Sequence, residues 1–151
     1  MQYSPREHRQ EESGSRRKKA RRVPTVVIAD DSIVQRMGAR TMLEAEGYRV
    51  LEAADGREVV DLVHRSHPDV VVMDVAMPRM DGVTAARRIR TETDGGSDVP
   101  IVFLSALSAR IDRESALAAG GNDYLVKPVA NRELIRAVER FIERSGRARR
   151  A

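Results

Sequence analysis

The sequence predicts an α/β fold, a doubly wound, five-stranded parallel sheet with helices on both faces. The first observation is that short apolar segments alternate with helical patterns five times between residues 25 and 144. The second is that three of these segments are apolar without alternation, which is typical of strands buried on both faces. Strands that alternate with helices pair in parallel through right-handed crossovers. Together these patterns indicate a sheet enclosed between two helical layers.

The first half of the domain is predicted to hold three strands and two helices. These elements are a strand at 25–29, a helix at 33–46, a strand at 49–53, a helix that begins after Asp55 and a strand within 69–74. Gly47 ends the first helix. The second strand is half polar, so we expect it near an edge of the sheet. Asp55 and Glu58 have the spacing of a capping box, which predicts the start of the second helix.

The second half is predicted to hold two strands and three helices. These elements are a helix at 82–90, a strand at 101–104, a helix at 110–119, a strand at 123–126 and a helix from Asn131 to about 144. Gly120 and Gly121 end the fourth helix, and we expect Asn131 to cap the fifth. The apolar residues of the fifth helix recur with helical spacing, which indicates one buried face.

Charge divides the chain into three parts. Residues 1–24 hold eight Lys or Arg against three Glu, whereas the body from 25 to 143 holds 15 basic and 20 acidic residues. The first part has too few apolar residues to offset its ordering entropy. We therefore expect a disordered basic tail at 1–24, a domain at 25–144 and a short basic C-terminal tail at 145–151. The sequence shows no cysteine, signal peptide or membrane-spanning stretch, so we expect a cytoplasmic protein.

Residues 16–22 contain six cations in seven positions. Such a run is typical of a solvated segment that favours solubility, and two alternatives stay open. It can hold the domain weakly on an anionic surface or nucleic acid, in which case binding falls steeply with salt. It can also fold back onto the acidic body. No aromatic residue lies among these cations to stack on bases, so contact with nucleic acid would be non-specific.

Polar residues lie at the ends of the predicted strands. They are Asp30 and Asp31 after the first strand, Asp74 at the end of the third, Ser105 after the fourth and Lys127 after the fifth. The carboxyl ends of parallel strands meet at one edge, where open α/β sheets bind their ligands. Three carboxylates within about 5 Å repel one another by about 3 kcal/mol per pair at an effective dielectric constant near 20. An all-oxygen donor set favours Mg²⁺, and the lysine and hydroxyl add donors suited to phosphoryl transfer onto an aspartate.

Four segments at strand ends resemble the receiver domain of two-component response regulators, which has the fold of the chemotaxis response regulator. They are Ala29-Asp30-Asp31-Ser32, Met73-Asp74-Val75-Ala76-Met77-Pro78 through Met80-Asp81-Gly82, Ser105-Ala106, and Tyr124-Leu125-Val126-Lys127-Pro128. The resemblance covers about residues 25–144. It implies a flavodoxin-like sheet with strand order 2-1-3-4-5.

The resemblance also implies a role for each carboxylate. Asp74 would be phosphorylated by a histidine kinase or a phosphorelay phosphotransfer protein. Mg²⁺ would be held by Asp30, Asp31, Asp74 and the backbone carbonyl of Ala76. Neither Ala76 nor Leu107 can hydrogen-bond a hydrolytic water at positions that influence dephosphorylation in this family. Slow loss of the phosphoryl group is therefore expected.

The resemblance assigns the switch to two further side chains. Ser105 and Lys127 would contact the phosphoryl group, and Tyr124 would turn inward as Ser105 moves toward it. The face formed by the fourth helix, fifth strand and fifth helix would then change for a downstream protein partner. We expect a stand-alone receiver domain that catalyses only its own phosphorylation and dephosphorylation.

Two other classes of protein share parts of this pattern. A haloacid-dehalogenase-like phosphatase also uses an aspartate nucleophile and Mg²⁺, but it needs a second Asp two residues later, where this chain has Ala76. A flavodoxin-like nucleotide-binding module needs a loop rich in Gly, Ser or Thr after the first strand. Asp30 and Asp31 would instead repel an unmetallated phosphate. The residues therefore favour the receiver domain.

Overall fold

The computed structural model describes residues 22–92, 98–106 and 113–150, with the side chains of residues 147–150 excepted. It contains a five-stranded parallel sheet in the order β2-β1-β3-β4-β5. The strands are β1 (Thr25–Ala29), β2 (Arg49–Ala53), β3 (Val70–Asp74), β4 (Ile101–Ala106) and β5 (Asp123–Lys127). The helices are α1 (Ile33–Ala45), α2 (Gly56–Ser66), α3 (Gly82–Glu92), α4 (Arg113–Ala118) and α5 (Asn131–Arg150). The fold class and the strand order are confirmed.

The burial of each strand follows its place in the sheet. Every residue of β1 and β3 is buried, as are the first five residues of β4. These three strands have a neighbour on each side and a helical layer on each face, so apolar residues are required at consecutive positions. β2 and β5 are the edge strands and are partly exposed. The predicted edge position of the half-polar second strand is therefore correct.

The sheet separates two apolar cores, because consecutive side chains of a strand point to opposite faces. Val26 and Ile28 belong to the core that α1 and α5 cover. Val27 and Ala29 belong to the core that α2, α3 and α4 cover. Each fully buried aliphatic side chain contributes about 1.5–3 kcal/mol relative to exposure. The two cores therefore hold the sheet on both of its faces.

The helix ends agree with the predictions at α2 and differ at α5. The Asp55 carboxylate accepts a hydrogen bond from the Glu58 N–H at 3.0 Å, and the Glu58 carboxylate accepts one from the Ala54 N–H at 2.6 Å. Asn131 is the first residue of α5 and not its cap. α5 continues to Arg150, so residues expected in a C-terminal tail extend the helix. The predicted start of the fourth helix at residue 110 lies outside the described residues.

The segment before β1 is fastened to the sheet. The Arg22 guanidinium donates to both carboxylate oxygens of Asp69, at 3.0 Å each, and the Thr25 N–H donates to the same carboxylate at 2.8 Å. Asp69 is buried and immediately precedes β3. Residues 22–24 are thus ordered, whereas the sequence predicts disorder throughout residues 1–24. Residues 1–21 lie outside the described part of the chain. Over the described ranges, no helix has the length and apolar character needed to span a membrane.

Candidate functional site

Charged side chains lie at the C-terminal ends of three strands of the sheet. Asp30 directly follows β1, Asp74 is the last residue of β3 and Lys127 is the last residue of β5. The Lys127 Nζ donates to Asp30 Oδ2 and to Asp74 Oδ2, at 2.9 Å in both cases. The peptide bond from Lys127 to Pro128 is cis. One ammonium group therefore joins Lys127 to Asp30, which is 97 positions away in the sequence, and to Asp74, which is 53 positions away.

Asp31 completes an acidic cluster with Asp30 and Asp74. One carboxylate oxygen from each of the three lies within 4.8 Å of the others. Asp30 and Asp74 are buried and Asp31 is exposed. Their mutual repulsion is only partly offset by Lys127, and an oxygen-only donor set open to solvent on one side suits a hard divalent cation. The residues present therefore fit Mg²⁺.

Burial and Lys127 shift the pKa of Asp74 in opposite directions. Burial raises the pKa of the Asp74 carboxyl above its ordinary value, and the hydrogen bond and charge of Lys127 offset this only in part. For Lys127, burial alone would lower the pKa. Its hydrogen bonds to Asp30 and Asp74 outweigh burial and raise the pKa of the ammonium group. Lys127 is therefore a permanently charged group at neutral pH.

The turn from β1 into α1 orients Asp30. Asp30 Oδ1 accepts a hydrogen bond from the Ser32 N–H at 2.9 Å, which leaves Oδ2 for Lys127. Ser32 caps α1, because its hydroxyl accepts from the Gln35 N–H at 3.3 Å. The Gln35 Oε1 in turn accepts from Lys127 Nζ at 2.7 Å. Sequence reasoning missed Gln35. The available signal was the Ser32 cap, which places position 35 in the first helical turn beside this edge.

The loop between β3 and α3 holds the Asp74 carboxylate in place. Asp74 Oδ1 accepts a hydrogen bond from the Ala76 N–H at 3.3 Å. The Val75 carbonyl accepts from the Gly82 N–H at 2.8 Å, which closes the base of the loop. A Cβ on Gly82 would collide with the Asp74 carbonyl oxygen, so this close approach requires glycine. The loop begins and ends against the backbone of Asp74.

Ser105 and Tyr124 lie on neighbouring strands near this cluster. Ser105 is fully buried, and its hydroxyl donates to the Ala106 carbonyl at 3.3 Å. Tyr124 is half-buried on β5, opposite Phe103, and packs on the core under α2, α3 and α4. The role of Ser105 and Tyr124 as a switch pair stays a prediction. Leu107 lies outside the described residues.

The fold and the site together define a class of protein. A doubly wound α/β domain with an aspartate at the end of its central strand, flanked by two carboxylates and a lysine, has the fold and the site arrangement of a receiver domain. The family model described as "Response regulator receiver domain" matches residues 26–139, and the chain belongs to this family. The domain is thus a phosphorylation-dependent signalling switch of two-component systems.

Curated relatives are regulators of greater length. The chain is 42% identical over 127 residues to the "Probable transcriptional regulator ycf27" of Galdieria sulphuraria, a match that covers 82% of this chain and 48% of that protein. It is 39% identical over 120 residues to the "Response regulator MprA" of Mycolicibacterium vanbaalenii, and this match covers 80% of this chain and 51% of that protein. The chain therefore spans about half the length of the curated relatives it matches.

Solved structures match over nearly their whole length. The receiver domain of the sensor histidine kinase PA1611 from Pseudomonas aeruginosa is 38% identical, with a TM-score of 0.74, and covers 81% of this chain and 99% of its own. That structure has a magnesium ion coordinated in its active-site cleft. The chemotaxis response regulator CheY4 of Vibrio cholerae is 30% identical, with a TM-score of 0.73. This match covers 80% of this chain and 99% of that protein's chain.

Proposed function

We propose that Asp74 is the residue that receives the phosphoryl group. The observation that carries this proposal is the Lys127 ammonium, which contacts Asp74 and Asp30 at 2.9 Å while both carboxylates are buried. Mg²⁺ would be held by Asp30, Asp31, Asp74 and the carbonyl of Ala76, and it would neutralise charge on the transferred oxygens. The donor set of this chain and the ion in the Pseudomonas receiver domain support that choice.

The side chains of the site have distinct parts in the transfer. With a phosphohistidine donor, the P–N bond breaks as a P–O bond to an Asp74 carboxylate oxygen forms, and the imidazole leaves with the electron pair. Lys127 supplies a fixed positive charge beside the new acyl phosphate. The Ser105 hydroxyl lies at the end of the adjacent strand and would turn from the Ala106 carbonyl to donate to the phosphoryl group.

The phosphodonor is proposed to be a histidine kinase or phosphotransfer protein that docks on α1. Ile33, Val34 and Met37 are 62%, 81% and 57% exposed, and they account for half of the large apolar side chains exposed in the described ranges. They lie beside a groove of about 570 Å³ between α1 and the segment after β5, and Asp30 lines this groove. A partner seated there would lie beside Asp30 and Lys127, and Lys127 contacts Asp74. Exposed apolar patches of this kind mark interaction surfaces.

Mass spectrometry of the intact protein tests the phosphoacceptor. With Mg²⁺ and acetyl phosphate, the wild type should gain one phosphoryl group, and Asp74→Asn should gain none. Asp61→Asn removes an exposed carboxylate of α2 and should be labelled like the wild type. Labelling of Asp74→Asn to the wild-type extent would show that the assignment is wrong.

The donor surface requires a separate test with the kinase. Val34→Glu should lose transfer from a phosphorylated histidine kinase while keeping labelling by acetyl phosphate. Val23→Glu is a matched control. Val23 is 57% exposed, but it precedes β1 and so lies at the N-terminal end of the strands, opposite the acidic cluster. Equal transfer to all three proteins would reject docking on α1.

Four finer hypotheses accompany this function. The output is a change in the face formed by α4, β5 and α5, where Tyr124 is half-buried. The domain catalyses nothing beyond its own phosphorylation and dephosphorylation, and it acts in the cytoplasm. It acts as a stand-alone regulator of the chemotaxis type, with a separate protein as its output. Similar transcriptional regulators are about twice as long, so the size of the native polypeptide on an immunoblot decides between these two arrangements.

A further inference from the structure

The tip of the β3–α3 loop is fastened to the start of α2. The Arg79 Nε lies 3.0 Å from Asp55 Oδ2, and the Gly56 N–H donates to the Met80 carbonyl at 3.0 Å. Asp55 is buried, while Arg79 is 67% exposed. A Cβ on Gly56 would lie 2.5 Å from the Met80 oxygen, so the two backbones can approach this closely only with glycine. Two adjacent loop residues are thus held by the N-cap residue and the first residue of α2.

Arg79 has a left-handed backbone conformation. Its φ is +65°, in the left-handed region that non-glycine residues rarely occupy. Such strain persists only where the surroundings fix it. The Asp55 carboxylate is the charged partner that faces this residue, and its other oxygen is already occupied by the Glu58 N–H at 3.0 Å. Arg79 thus has a disfavoured backbone geometry at the point where the Asp55 ion pair and the Met80 hydrogen bond join the loop to α2.

The segment between the fixed ends of the loop carries part of the site. Gly82 fixes the base of the loop against Val75, and Arg79 with Met80 fixes its tip. Ala76 lies between these ends, and its N–H donates to Asp74. The Ala76 peptide, which contacts the Asp74 carboxylate, therefore lies between the fixed base and the fixed tip of the loop.

We infer that Asp55 and Arg79 form a clamp that positions the Ala76 backbone and Asp74 for the divalent cation. This inference rests on the proposed function, because the cation site it serves is the one proposed there. Arg79 is a positioning residue, since its guanidinium pairs with Asp55 and it acts on the site through the loop. Partners of this kind, which orient the groups that bind a metal, typically change metal affinity by about 10- to 100-fold.

The clamp is distinguishable from a general contribution to stability. An ion pair with one exposed partner adds little to the stability of the fold. Arg79→Ala should therefore weaken Mg²⁺ binding by about tenfold while leaving the urea midpoint of the Mg²⁺-free protein unchanged. Arg79→Gly accommodates the positive φ without the charge and should weaken binding as well. Arg79→Lys keeps a cation at the position and should recover part of the affinity.

Isothermal titration calorimetry of the full chain with Mg²⁺ measures these affinities directly. Arg88→Ala is the control, because Arg88 forms an exposed pair with Glu92 on α3, away from the loop. Wild-type affinity in Arg79→Ala and Arg79→Gly would overturn the clamp. So would a loss of affinity matched by unfolding of the Mg²⁺-free variants.

The same measurements separate failure of the clamp from failure of the proposed function. Wild-type protein that neither binds Mg²⁺ nor is labelled by acetyl phosphate would overturn the function and the clamp with it. Wild-type protein that binds and is labelled, with Arg79 variants of equal affinity, would overturn the clamp alone.

Discussion

Asp31 should stabilise the Mg²⁺-bound protein and destabilise the Mg²⁺-free one. Its carboxylate lies within 4.8 Å of oxygens of Asp30 and Asp74, but Lys127 hydrogen-bonds only those two. Two unit charges at this distance repel by about 3.5 kcal/mol at a dielectric constant of 20 and by about 0.9 kcal/mol in water. Because Asp31 is exposed, the lower value applies better to its two pairs. Asp31→Asn should therefore raise the free energy of unfolding by roughly 1–2 kcal/mol without Mg²⁺.

Urea unfolding followed by far-UV circular dichroism measures this effect with EDTA and with saturating Mg²⁺. The wild type should gain stability from Mg²⁺, since a ligand that binds only the folded state stabilises it. Asp31→Asn should gain much less, so the order of stability reverses between the two conditions. Asp61→Asn, an exposed carboxylate of α2 away from the cluster, should change neither curve. A variant less stable than the wild type in EDTA would refute the electrostatic reasoning, as would an equal gain from Mg²⁺.

Three other outcomes are expected. The pKa of Asp55 lies below its ordinary value because of the hydrogen bond from the Glu58 N–H and the charge of Arg79. The folded pKa is the lower one, so this contribution is present above the unfolded value of about 3.9 and is lost as the pH falls through the folded pKa. Acid titration of stability in the wild type and in Asp55→Asn should show the difference shrinking there. Ala76→Asn should speed loss of the phosphoryl group, because its amide can hydrogen-bond the attacking water, and a decay time course checks this. Gly82→Ala should cost about 3 kcal/mol or more in urea unfolding, as a Cβ meets backbone atoms.

The fold was predictable because its signals are local. Consecutive apolar residues identify the central strands, and the polar residue that ends each one falls at the ligand-binding edge. The contacts of long polar side chains were not predictable in this way. Gln35 reaches Lys127, and Arg79 reaches Asp55, across distances that no periodicity encodes.

The length of α5 was misjudged for a different reason. Residues 145–150 contain no large apolar residue, so no burial signal extends beyond Ile142. Arginine and alanine are nevertheless strong helix formers. Four of these six residues are of those two types, which lets the helix continue without a core to pack against.

The bond between Arg22 and Asp69 determines which way the domain faces when it is held by its N-terminal segment. Asp69 lies at the start of the strand that ends in Asp74, and five residues of extended chain span about 16 Å. The cationic run at 16–22 therefore meets the described domain at Arg22, at the end of β3 opposite Asp74. A domain resting on an anionic surface through that run would direct α1 and the acidic edge outward, toward diffusing donors. Attachment and signalling would then proceed without competing for the same side of the molecule.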